Sequence, residues 1–72
     1  MKSFPKDAKK IKITFVCDLC GVDVIYETDI PAEPISVGAV CNICHKGFPT
    51  KITSTGVEVD GIAEDEITID II

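Results

Sequence analysis

The 72-residue sequence contains no tryptophan and no arginine, and it holds only one tyrosine, one histidine and one methionine. Each absence excludes something. Without arginine the chain lacks the planar donor fork that reads guanine edges and grips phosphate in pairs of hydrogen bonds. A single histidine leaves no histidine pair for an open catalytic metal site, and no serine is flanked by a base that would activate it. Three phenylalanines and one tyrosine are too few to build a core from aromatic rings. No run approaches the ~18 consecutive apolar residues of a membrane span. Met1 to Lys12 is lysine-rich with no apolar stretch, so no secretory signal is read there and a cytoplasmic location is expected. In a reducing compartment disulfides are disfavoured, and thiols more often bind metal.

Isoleucine and valine dominate the 46% of hydrophobic residues, and both suit pleated sheet better than helix. At 72 residues one domain is expected, burying only about 60% of the surface its unfolded chain exposes. Such a core usually needs a disulfide or metal staple, and four cysteines supply the groups for one. So small a chain has little volume to enclose a substrate, and no enzymatic activity is expected of it.

Charge is uneven along the chain. Met1 to Cys20 carries a net +3, Gly21 to Lys51 a net −2, and Ile52 to Ile72 a net −6, for −5 in all. This balance disfavours nucleic acid as a partner. Lys2, Lys6, Lys9, Lys10 and Lys12 nevertheless keep contact with nucleic acid in a transcription or translation assembly as an alternative.

Period-two alternation recurs along the chain, and no window sustains a helical period. Lys10 to Phe15 alternates and runs into Cys17-Asp18-Leu19-Cys20-Gly21; Val22 to Glu27 then alternates with Val22, Val24 and Tyr26 on one face. This predicts a hairpin with cysteines in its turn. Pro31-Ala32-Glu33-Pro34 reads as a loop. A second hairpin is expected from Ile35 to Thr55 around Cys41-Asn42-Ile43-Cys44. Val57 to Gly61 reads as a short strand ending in an Asp-Gly turn, Ile62 to Glu66 as one possible helical turn, and Glu66 to Ile71 as a last strand. The expected organisation is a flexible lysine-rich N-terminus over residues 1–10, a cysteine-bearing domain over 11–55, and an acidic β-extension packed on it over 56–72.

Cys17-x-x-Cys20 followed after twenty residues by Cys41-x-x-Cys44 has the spacing of a four-cysteine metal site. Two residues between thiolates let one tight turn aim both sulfurs into a single volume, and Gly21 suits the left-handed backbone such a turn often needs. Two facing turns would surround a tetrahedral ion with sulfurs about 2.3 Å away. This double knuckle between strands resembles the zinc ribbons, whose broader architecture is shared with rubredoxins. The resemblance covers Ile11 to Thr55 and implies a small metal-stabilised all-β fold, with Cys17, Cys20, Cys41 and Cys44 as ligands of one structural zinc. The second knuckle departs from the pattern, because His45 rather than glycine follows Cys44.

Other readings of these residues remain. Cys41 to His45 spells the c-type haem attachment sequence, but the chain has no expected helix and no methionine beyond Met1. Iron is the main rival to zinc, since four thiolates take either metal; the short spacer and missing tryptophan favour zinc. His45 is read as a surface turn residue, and Glu64-Asp65-Glu66 as a solvated loop without calcium-loop spacing. The stripe of Ile67, Ile69 and Ile71 reads as core, yet Ile72 on the opposite face makes the last strand apolar on both sides. A partner's sheet or a second copy could therefore join there. The overall expectation is a zinc-binding accessory module that contacts another protein, with a rubredoxin-like electron carrier and a nucleic-acid-contacting ribbon as alternatives.

Overall fold

Alternation in the sequence becomes strand pairing throughout the chain. The computed structural model describes residues 1–72, and half of them lie in seven strands. In chain order these are β1 (Lys2–Ser3), β2 (Lys10–Val16), β3 (Asp23–Asp29), β4 (Ile35–Val40), β5 (Gly47–Ile52), β6 (Gly56–Val59) and β7 (Thr68–Ile71). A single 3-10 turn at Glu64–Glu66 separates the last two strands. No helix is long and apolar enough to cross a membrane.

The strands form two antiparallel sheets, ordered β1-β6-β5-β4 and β3-β2-β7. The inward residues of β2, namely Ile11, Ile13 and Phe15, are buried and pair with Thr28, Tyr26 and Val24 of β3. Ala39, Phe48, Thr50, Ile52, Val57 and Val59 line the other sheet's buried face. Phe15 and Phe48 meet edge to face at 5.1 Å, joining the two hairpins near their cysteine-bearing ends.

Both sheets draw strands from separate parts of the chain. Residues 1–10, expected as a flexible segment, contribute β1, which pairs with β6 through Lys2↔Val57 and Ser3↔Gly56. The Phe4 N–H donates to the Thr55 carbonyl at 2.8 Å, and the Met1 ammonium lies 3.0 Å from Glu64 Oε2. Half-buried Phe4 packs against the core, an apolar anchor that the lysine-rich reading overlooked. Residues 56–72, expected as an extension, supply one strand to each sheet: β6 pairs with β5, and β7 with β2. Ile67 is buried just before β7 begins, Ile69 is half-buried, and Ile71 is exposed at the rim.

Outward faces place opposite charges side by side. Lys12 of β2 stands between Glu27 of β3 and Asp70 of β7; Lys10 opposes Asp29, and Lys51 opposes Glu58. These residues are opposed in register, while the ion pairs within 4 Å are Met1–Glu64 and Lys46–Asp18. Pro49 sits in the middle strand β5 without breaking a ladder. Its carbonyl accepts from the Asp60 N–H at 2.9 Å, so its missing donor faces the same side, just beyond the end of β6.

Gly56 marks the closest backbone approach in the fold. A Cβ there would lie 2.6 Å from the Lys2 carbonyl oxygen and 2.8 Å from Met1 Cγ. Gly56→Val is therefore expected to push β1 off β6 and to lower stability by about 1–3 kcal/mol. Denaturant unfolding measures the loss, and weaker amide protection at Val57 locates it.

Candidate metal centre

The two cysteine-bearing turns are built alike. Aligned on their first cysteines, Val16-Cys17-Asp18-Leu19-Cys20-Gly21 and Val40-Cys41-Asn42-Ile43-Cys44-His45 form a six-residue repeat. The Gly21 N–H donates to the Cys17 carbonyl at 2.9 Å, and the His45 N–H to the Cys41 carbonyl at 3.0 Å. One step further out, the Cys17 N–H donates to the Val22 carbonyl and the Cys41 N–H to the Lys46 carbonyl, at 2.8 and 3.0 Å. Gly21 and His45 both adopt the left-handed conformation, with φ of 77° and 62°. His45 thus fills the backbone role that glycine fills in the first turn, and its side chain is exposed.

All four cysteines identified in the sequence come together: the sulfurs of Cys17, Cys20, Cys41 and Cys44 lie within 4.8 Å of one another. Two contacts cross between hairpins, at 3.2 Å for Cys20–Cys41 and 3.6 Å for Cys17–Cys44. A tetrahedron of sulfurs about 2.3 Å from a central ion has edges of about 3.8 Å, so the group is close to the size a bound metal needs. All four thiols are free, with Cys17 and Cys41 buried, Cys44 half-buried and Cys20 exposed. The donor set suits zinc and iron equally.

Backbone amides divide the four thiols into two kinds. The N–H groups of Cys44 and Ile43 point at the Cys41 sulfur and hold its pKa down to about 6. Burial pushes Cys17 up, but the N–H groups of Cys20 and Leu19 outweigh it and leave the pKa lowered. Cys20, hydrogen-bonded to Cys41, is pushed up to about 12. Cys44 receives a lowering contact from the Lys46 N–H, yet burial and its bonds to Cys41 and Cys17 leave it raised. Each turn thus pairs one cysteine of lowered pKa with one of raised pKa.

A cation attends this group. Lys46 Nζ lies 2.6 Å from Asp18 Oδ1, tying the second turn to the first, and stands 5.1 Å from the centre of the Phe48 ring. Its pKa is raised, first by Asp18 and further by the charges of Cys17 and Cys44. Four thiolates around a divalent ion carry a net −2, and this ammonium offsets part of it. The ion pair was not foreseen from the sequence, although the repeat that places Asp18 and Lys46 on matching turns is readable there.

The same turns expose apolar groups. Leu19 and Ile43, at equivalent positions of the repeat, are 68% and 67% exposed, and Val16 and Val40 at the ends of β2 and β4 are about half exposed. No protein-family model, curated protein or solved structure matches the chain.

Two predictions follow from this geometry. Gly21→Ala forces an L side chain into a left-handed position and is expected to cost about 1 kcal/mol, whereas His45→Gly relieves one and is expected to gain up to about 1 kcal/mol. Thermal unfolding of the metal-loaded protein reads both signs. Metal affinity is expected to fall with acidification, because protons compete for the sulfurs. Cys20, pushed up to about 12, must release a proton on binding across the whole working range, so log affinity rises with pH there. Below pH 6 Cys41, with its pKa of about 6, takes up a proton as well, and the slope steepens. Competition against a chromophoric chelator at several pH values measures it.

Proposed function

We propose that this chain is a non-enzymatic, zinc-ribbon-like accessory module. Cys17, Cys20, Cys41 and Cys44 hold one structural zinc, and the cysteine-bearing end docks onto another protein within a larger assembly. The observation that carries this reading is the convergence of four sulfurs from two hairpin turns, which fills all four positions of a tetrahedral ion with protein ligands. A catalytic zinc keeps one position open for water or substrate. When bound, the ion would crosslink residues 17–44 and supply folding free energy, roughly 10–16 kcal/mol in zinc-finger peptides. Zinc is preferred over iron because the spacer between the cysteine pairs is short and the chain has no tryptophan and only one tyrosine.

Leu19 and Ile43 support a protein partner. Both sit on the turns that bear the sulfurs, where backbone hydrogen bonds hold them rigidly outward. Apolar side chains held in this way bind without a large ordering cost and suit the apolar centre of an interface. Nucleic acid is disfavoured on two counts. The net charge is −5, and Lys10, Lys12 and Lys51 each stand opposite an acid in the sheets.

The test is native mass spectrometry of protein produced with iron and zinc both present. One zinc per chain is expected, and its removal by a chelator should lower the unfolding midpoint by about 20 °C or more. One iron per chain with a reversible one-electron couple would replace the reading by an electron carrier. The docking half is tested with Leu19→Asp/Ile43→Asp. Zinc content and unfolding midpoint should be unchanged, while proteins captured by the wild type are lost. Capture that instead weakens steeply with salt and disappears on nuclease treatment would point to nucleic acid.

A further inference from the structure

We propose that β4 is a self-association edge, along which a second copy of the chain pairs its own β4 antiparallel and joins two four-stranded sheets into one of eight. The inference rests on the sheet edges and is independent of what the cysteine-bearing end binds.

Both sheets are open, so four strands present an unpaired side: β1 and β4 in one, β3 and β7 in the other. Natural edge strands are usually blunted by brevity, charge, proline or a bulge. β1 has two residues. β3 carries Asp23, Glu27 and Asp29, so two copies of it would set like charges against each other. β7 has four residues, one of them Asp70. β4, Ile35-Ser36-Val37-Gly38-Ala39-Val40, has six residues with no charge and no proline. Its unpaired side runs about 20 Å, and every second residue turns its N–H and C=O away from β5.

The side chains of β4 behave as though a neighbour were missing. Ile35 faces the interior opposite Ile52, which is fully buried, yet Ile35 is 38% exposed and no strand hydrogen-bonds to β4 on its far side. Pairing about a two-fold axis perpendicular to the sheet requires partners on the same face. Centred on Val37, that register sets Ile35 against Ala39, Ser36 against Gly38, and Val37 against its own copy. Large residues then oppose small ones, and Ile35 is covered. The outward face is open at Gly38, where a Cβ would meet no atom within 4 Å. The nearest acids on that face, Glu58 and Asp60, belong to β6 or follow it directly. Across the axis the two β6 strands would be five strand spacings apart, about 24 Å, well beyond the Debye length of about 8 Å at physiological salt. The chain's negative charge therefore opposes this contact only weakly.

Sedimentation velocity of the metal-loaded chain from about 10 μM to about 1 mM tests the proposal. A reversible dimer is expected with a dissociation constant of about 10–300 μM, because one strand edge makes a small interface. Ser36→Lys/Gly38→Lys sets lysine against lysine across the axis, and Ser36→Glu/Gly38→Glu sets acid against acid. Each variant alone is expected to stay monomeric with unchanged metal content and unfolding midpoint, and an equimolar mixture to form a heterodimer at least as tight as the wild type. A wild type that is monomeric at about 1 mM, charged variants that dimerise unchanged, or a mixture that stays monomeric would each overturn the proposal. Hydrogen exchange on the wild type gives a readout without substitutions. Protection that grows with concentration is expected in β4; growth confined to β7 or to the cysteine-bearing turns would overturn it.

Discussion

Four sulfur atoms within 4.8 Å of one another, two from each of two hairpin turns, are the constraint on which the remainder of this structure depends. The hairpins belong to different sheets, and the sulfur group is where they are gathered at one end. Backbone N–H groups of each turn point at its sulfurs, so the turns are shaped for negative charge whether or not an ion is bound. The Phe15–Phe48 contact and the Lys46–Asp18 pair lie beside the group and tie the same two hairpins together. The apolar core of twelve residues includes two of these cysteines, Cys17 and Cys41.

The chain's route reinforces that tie. It enters one sheet with β1, crosses to the other for β2 and β3, returns for β4 to β6, and crosses again for β7. Neither sheet can separate without pulling on a connection to its partner. Charge follows the same economy of space. The basic head and the acidic tail, far apart in sequence, are brought alongside each other where Lys12 of β2 opposes Asp70 of β7. What remains unsatisfied on the surface is apolar: Leu19 and Ile43 at one end, and the uncharged edge strand β4 along one side.

Much of this was legible because strand alternation and cysteine spacing are local. The two hairpins, the loop around Pro31 to Pro34, the turn at Asp60-Gly61 and the gathering of Cys17, Cys20, Cys41 and Cys44 correspond to patterns of two to seven residues. The departures have physical causes. Residues 1–10 look polar by count, yet half-buried Phe4 and the approach allowed by Gly56 are enough to seat β1 on β6. Residues 56–72 resemble an appendage in sequence, but an edge strand without a neighbour leaves backbone groups unpaired, and β6 and β7 pair with β5 and β2 instead. His45 looked like a flaw in the second turn, whereas its backbone takes the left-handed conformation at a cost of about 1 kcal/mol.

The amino-acid order by itself determined that this is a small β protein with a four-cysteine group, because alternation sets which side chains share a face and a two-residue gap sets which sulfurs share a turn. Only the tertiary structure decided that the hairpins fall in separate sheets, that Lys46 reaches Asp18 beside the sulfurs, and that β4 is left at an edge without charge. Those outcomes depend on which strands pair across dozens of residues. That choice is made by burying Ile11, Ile13, Phe15, Phe48 and Ile52 together, and no local pattern encodes it.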